Sequence, residues 1–176
     1  GYATGMFGKW HLGDCYPMRP MDQGFDESLI HNGGGLGQPA DPIENGNRYT
    51  DPVLVHNGKR IATKGYCTDV YFDAAMKFVE TQSKAGKPFF AYIAPNAPHG
   101  PFHDVPEDLR KKYMAKDMTA INFGRKLNEK NQDKLARIAA MIENIDQNVG
   151  RMNQHVKKLG IERETIVIFM VDNGPN

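Results

Sequence analysis

Three short apolar runs, separated by stretches with helical periodicity, constrain this chain more than any other feature. They are the opening Gly1-Tyr-Ala-Thr-Gly-Met-Phe-Gly-Lys9-Trp10-His11-Leu12-Gly13, then Phe89-Phe-Ala-Tyr-Ile-Ala94, then Thr165-Ile-Val-Ile-Phe-Met-Val171. Continuous apolar runs of this length read as strands buried on both faces, and the β-branched Thr165–Val171 run is expected to be a central parallel strand. Between the first two, Thr68 or Asp69 can cap a helix reaching about Lys84, with Val70, Ala74, Ala75, Phe78 and Val79 on one side. Gly86 ends it and Pro88 prevents its continuation. A second short helix is expected over Pro106 to Met114. A long amphipathic helix follows from about Asn131 to Leu159, where Leu135, Ile138, Ile142, Ile145, Val149, Met152, Val156 and Leu159 recur on one side. That spacing also fits a coiled-coil seam, but Gly160 and the strand-like run after it favour a helix packed on a sheet. Asp146, near the apolar side, is read as exposed or bonded to backbone. Strands alternating with helices predict an α/β fold: a mostly parallel sheet with helices on both faces.

The chain of 176 residues is 40% hydrophobic, enough for one domain with a real core. A net charge of +1 makes no case for nucleic acid or an anionic membrane as partner. Arg110-Lys111-Lys112 reads as a solvated helix face. No stretch approaches the roughly 20 apolar residues that span a bilayer, so the chain is not read as membrane-spanning. Two cysteines, Cys15 and Cys67, are too few for a disulfide framework or a zinc site, and each reads as a buried thiol. From Asp14 to about Lys64 the chain is rich in Gly, Pro, Asn and Asp and is expected to form long loops over the mouth of a site. Within it, Asn57-Gly58 between Val53-Leu-Val55 and Arg60-Ile61 is a hairpin signal. Gly33-Gly-Gly-Leu-Gly37 lacks both a following helix pattern and a phosphate-loop lysine, and reads as a flexible loop. His31, His56 and His155 are assigned to loops and surface.

The chemically capable residues fall at the ends of the three strands. In an extended segment Lys9 and His11 point the same way, although a solvated edge strand is the alternative on pattern alone. His99 follows the second strand in Ala94-Pro-Asn-Ala-Pro-His99-Gly-Pro101, with His103 a weaker candidate nearby. Asp172 and Asn173 follow the third strand and offer oxygen ligands that suit Ca²⁺ or Mg²⁺ better than zinc. Ligands of open parallel sheets bind outside the carboxyl ends of the strands, so all three segments point to one edge. A histidine there can serve as acid or base near neutral pH.

The string Gly-Tyr-x-Thr-Gly-x-x-Gly-Lys9-Trp10-His11-Leu12-Gly13 resembles the second signature segment of the sulfatase family along its whole length. Gly24-Phe-Asp-Glu27 and Gly65-Tyr-Cys-Thr-Asp69 also resemble bacterial-type arylsulfatases. The resemblance implies that Lys9 binds the sulfate and the activated nucleophile, and that His11 hydrogen-bonds the nucleophile and serves in proton transfer. It likewise implies that His99 binds sulfate and protonates the leaving oxygen, and that Asp172 and Asn173 ligate the metal. The implied fold is part of an alkaline-phosphatase-like α/β/α sandwich. Residues 1–176 are expected to be the central part of one catalytic domain, because the sequence starts and stops inside motifs.

The implied cofactors are Ca²⁺, with Mg²⁺ the alternative, and a formylglycine made from a Cys or Ser outside this chain. Cys15-Tyr-Pro-Met-Arg19 has the look of the family's nucleophile motif, Cys or Ser followed by x-Pro-x-Arg. It lies after the lysine–histidine segment, where the family does not put it, and is not assigned. The expected activity is hydrolysis of a sulfate ester on a small molecule or sulfated glycan, with a periplasmic or secreted location. A related phosphoesterase or phosphonate monoester hydrolase, or an anion-binding protein without the nucleophile, are the alternatives. The 176 residues alone are expected to be inactive and prone to aggregate.

Overall fold

A computed structural model describes residues 1–122 and 124–171. Five strands form one sheet: β1 (Ala3–Lys9), β2 (Glu27–His31), β3 (Val53–His56), β4 (Lys59–Ala62) and β5 (Phe89–Ala94). Their spatial order is β4-β3-β2-β1-β5. β1 is parallel to both β2 and β5, whereas β2–β3 and β3–β4 are antiparallel. The sheet is therefore mixed rather than mostly parallel. The Asn57-Gly58 turn accounts for the β3–β4 pair, because both residues take positive φ, 47° and 80°, and so fold β4 back on β3.

Alternation along β1 gives the sheet two distinct faces. Phe7 packs on one side with Leu29 and the first helix, while Met6 packs on the other with Trp10 and Ile30. Gly8 is the point of closest approach between β1 and β5. Its φ is +120°, and a Cβ there would lie 2.1 Å from the Ala94 carbonyl oxygen. Only glycine fits.

The α-helices are α1 (Cys67–Lys84), α2 (Glu107–Met114) and α3 (Glu129–Lys158). α1 lies on the sheet, with the Phe7 and Phe78 rings 5.6 Å apart. α3 packs on α1, and α2 packs on α3. Among the described residues the α-helices thus stack on one face, and the expectation of helices on both faces is not met there. The opposite face carries the smaller Met6, Trp10 and Ile30 cluster, with Phe25, Val55 and Ala94 packed against it.

The buried stripe of α3 overlaps the one its large aliphatics mark but is shifted from it: Met152 and Val156 belong to both, and Ile145, Val149 and Leu159 are partly buried against the core. Ala136, Ala140, Asn144, Asn148, Met152 and Val156 are buried at i, i+4 spacing, whereas Ile142 is 51% exposed. Polar pairing decides this: the Asp69 carboxylate accepts from Asn144 Nδ2 at 2.9 Å and Asn148 Nδ2 at 2.6 Å. Asp69 is thereby used for helix packing, and α1 starts after Tyr66 with no side-chain cap from Thr68 or Asp69. Asp146 is exposed.

Two other expectations change. The Asp14–Lys64 region is not only loop, since it contributes β2, β3 and β4. Thr165–Val171 forms no strand: Ile166, Val167, Ile168, Phe169, Met170 and Val171 are exposed and unpaired. A strand exists only through a neighbour's ladder, and no described strand pairs with this run; the outer edge of β5 stays open as well.

Gly8→Ala is expected to destabilise the fold by more than about 1 kcal/mol, read from urea midpoints, because both φ and the Ala94 contact oppose a side chain. A polypeptide of these 176 residues is expected to self-associate through its bare apolar run. Ile168→Lys with Met170→Lys should shift its sedimentation toward monomer. Unchanged sedimentation would place the association elsewhere.

Candidate active site

The parallel register brings the carboxyl ends of β1, β2 and β5 to one edge. Lys9, the last residue of β1, pairs in register with His31, the last residue of β2. In-register neighbours project from the same face, so Lys9 and His31 share the face that Phe7 gives to α1. The ladder continues past the strands, with Trp10 N donating to the His31 carbonyl at 3.0 Å and His11 N to that of Asn32 at 3.1 Å. His11 itself takes a positive φ of 50°, so the strand alternation expected to align it with Lys9 is broken there. Trp10 fixes this corner by turning under the sheet, where its Nε1 donates to the Met18 carbonyl at 2.9 Å.

His99 arrives from the loop beyond β5. Its Nδ1 lies 2.5 Å from the Gly100 carbonyl oxygen, which can only accept, so Nδ1 carries a proton and Nε2 is the nitrogen left open. Asp104 ties the far end of this loop down, accepting from Tyr49 N at 2.6 Å, Thr50 N at 2.8 Å and Thr50 Oγ1 at 2.8 Å. Arg137 of α3 donates to the Phe102 and His103 carbonyls, both at 3.0 Å. His103 is exposed.

His31 is the main correction to the sequence reading. Far from a surface loop residue, it is fully buried, and its Nδ1 lies 2.8 Å from the Tyr71 hydroxyl of α1. Burial, together with the positive charges of Lys9, His11 and His99, pushes its pKa down to about 3. Lys9, His11 and His99 are each near enough to this imidazole to lower its pKa, and His31 stays uncharged beneath them. His56 and His155 are half-buried instead: His56 Nε2 is 3.2 Å from Glu27 and His155 Nε2 is 3.1 Å from the Met76 carbonyl.

The Gly33–Gly37 loop is also not free. Gly33, Gly34, Gly35 and Leu36 are buried, and a Cβ on Gly34 would meet His11 Cε1 at 3.1 Å. Asp41 accepts from Gly37 N at 2.8 Å and Asn45 Nδ2 at 2.8 Å, closing the loop against the imidazole. The only signal in the sequence was the glycine run itself, which equally marks disorder. Cys15 is exposed rather than buried, and Arg19 is held by Asp22 at 2.8 Å and 3.0 Å. Cys67 is buried, which pushes its thiol up to about 12 and leaves it inert.

Asp172 and Asn173 lie outside the described residues. Among the described residues no group of three or more His, Cys, Asp or Glu could hold a metal, and no helix is long and apolar enough to cross a membrane. What the described edge offers is a lysine and two imidazoles, a set suited to an oxyanion.

The buried His31 makes stability depend on acid. Its folded pKa lies below the unfolded value of 6.5, so between pH 6.5 and about 3 only the unfolded chain takes up the proton. Stability from this group is complete above 6.5 and falls as pH drops, by up to about 1.4 kcal/mol per pH unit. Urea midpoints at several pH values should show this slope, and His31→Gln should remove that share of it. Equal slopes in the two proteins would contradict the assignment.

The sequence matches the family model for sulfatases over residues 1–176. It is 27% identical to the uncharacterized sulfatase YdeN of Escherichia coli over 99% of this chain and 31% of that protein. It is 26% identical to the arylsulfatase of Klebsiella aerogenes over 100% of this chain and 45% of that one. The fold matches the crystal structure of Ps i-CgsB in complex with k-i-k-neocarrahexaose with a TM-score of 0.68 and 29% identity, over 90% of this chain and 34% of that chain. This chain therefore spans less than half the length of these relatives. Given a match over the whole sequence and a shared fold, the chain belongs to the sulfatase family.

Proposed function

We propose that this chain supplies the anion-binding and proton-transferring side of a sulfate-ester hydrolase. The observation that carries the reading is the convergence of Lys9, His11 and His99 around the buried His31 at the carboxyl edge of β1, β2 and β5. A sulfate ester presents a tetrahedral anion, and Lys9 offers charge that needs no proton to be supplied. His99, with Nδ1–H engaged by the Gly100 carbonyl, has Nε2 to bring a proton to the leaving oxygen. His11 lies two residues beyond the end of β1, and we assign it as the second proton carrier. Gly34, with no side chain, leaves room for the His11 ring.

Family membership implies a metal and a formylglycine. We assign Ca²⁺, with Mg²⁺ as the alternative, to Asp172 and Asn173 and to ligands outside this chain. The formylglycine belongs to a Cys or Ser also outside it. When bound, these groups supply a hydrated-aldehyde nucleophile and positive charge for the sulfate oxygens. The substrate we favour is a sulfated glycan, supported by the carrageenan-type hexasaccharide in the name of the Ps i-CgsB complex. An exported protein, periplasmic or secreted, is consistent with such a substrate.

The test uses protein expressed from the full gene and paired aryl sulfate and aryl phosphate esters. Preferential sulfate hydrolysis is expected, and Lys9→Ala and His99→Ala should each cost about 10²- to 10⁴-fold in kcat. Preferential phosphate hydrolysis would move the site to phosphoester chemistry. Binding of sulfate without turnover would make it a binding protein. A polypeptide of these 176 residues alone should show no turnover.

A further inference from the structure

Beneath Lys9, His11 and His99 lies a run of buried polar groups that the proposed chemistry does not use. Tyr71, His31 and Tyr49 are fully buried, and Asn96 is 4% exposed. Tyr71 Oη meets His31 Nδ1 at 2.8 Å, and Tyr49 Oη donates to the Gly100 carbonyl at 2.8 Å. Between these two bonds sit three buried polar atoms that complete none: His31 Nε2, Asn96 Oδ1 and Asn96 Nδ2. Buried polar atoms without partners are rare and call for an explanation. The Asn96 amide is near enough to act on both neighbours, favouring a proton on His31 as an acceptor does and loosening that of Tyr49 as a donor does.

The donors and acceptors run in one direction only. The Tyr71 hydroxyl has no other acceptor among the described residues, so it donates to His31 Nδ1, and the imidazole proton then sits on Nε2. That N–H faces an acceptor need that Asn96 Oδ1 meets, leaving Asn96 Nδ2 to donate to Tyr49 Oη, whose own proton goes to Gly100. The reverse order would strand the Tyr71 proton and leave the Gly100 carbonyl with the His99 Nδ1–H alone as donor. Two new bonds would satisfy all three orphan atoms, and both involve Asn96, whose carbonyl accepts from His99 N at 3.0 Å.

We propose that Tyr71, His31, Asn96 and Tyr49 form an uncharged, one-directional hydrogen-bond chain that positions the His99 loop against the strand ends. These are positioning residues: each acts on the reaction through His99. The inference rests on the sulfate-ester reading for its catalytic readout, but not for its structural one. An uncharged chain suits this place, because a protonated His31 would add a buried cation beside Lys9, and no carboxylate among the described residues pairs with it.

Nitrogen-detected NMR of imidazole-labelled protein expressed from the full gene tests the direction without any substitution. His31 is expected as the neutral Nε2–H tautomer, unchanged from about pH 5 to 8, while Lys9, His11, His99 and Tyr71 surround it. An Nδ1–H tautomer, or titration in that range, overturns the chain. Asn96→Asp then tests the role, since it keeps the shape but cannot donate to Tyr49. It should lower kcat by about 10- to 100-fold with KM changed less than about threefold, and the loss should vanish in a His99→Ala background. A loss that adds to that of His99→Ala overturns positioning through His99. An inactive unsubstituted protein would sink the sulfate-ester reading instead, and the tautomer alone would then decide the chain.

Discussion

The parallel pairing of β1 with β2 on one side and β5 on the other is the constraint on which everything else depends. It fixes which ends of three segments meet, and so which side chains can share a ligand. The pairing to β5 is tight at Gly8, where no side chain fits against the Ala94 carbonyl. A residue with a Cβ there would push β5 away and carry the His99 loop with it. The Gly-Lys-Trp-His string thus has a mechanical reason for its glycine, beside the chemical role proposed for its lysine.

In the proposed site Lys9, His11 and His99 stand over a floor of buried polar side chains, His31, Asn96, Tyr49 and Tyr71. Burial keeps the His31 imidazole neutral and the Tyr49 and Tyr71 hydroxyls protonated. Such an arrangement offers Lys9 to an anion without burying a cation among apolar side chains. The far side of the helical layer uses the opposite device: Asp69 is paired with Asn144 and Asn148 to lock α3 onto α1. Substituting a carboxylate into the floor, or a neutral residue at Asp69, would disturb quite different things.

Much of this was legible in the chain. α1, α2, α3 and β5 follow from periodicity and from Gly and Pro punctuation, and the Asn57-Gly58 hairpin from its turn residues. Lys9, His11 and His99 stood out because polar residues at the ends of apolar runs have few structural reasons to be there. β2 did not stand out, since Glu27-Ser-Leu-Ile-His31 is short and flanked by turn-forming residues, and its identity as a strand comes from β1. His31 and Asn96 were missed for the same reason. Each is a single polar residue in a five- to seven-residue context, with nothing local to separate burial from exposure. On α3 the large aliphatics marked one face, yet Asp69, some 75 residues away, selected a neighbouring stripe that includes two asparagines.

The sequence by itself determined the family, the α/β class and the residue types that carry the chemistry, because these depend on short-range pattern and on strings too unusual to arise by composition. Only the tertiary structure decided the mixed sheet, the one-sided helical cover, the positive φ that turns His11 out of line, and the burial of His31. Among the described residues Thr165–Val171 has no ladder, although its composition is that of a strand. The physical reason is common to all of these. Hydrogen-bond ladders and desolvation are properties of pairs of distant segments, and no single segment encodes its partner.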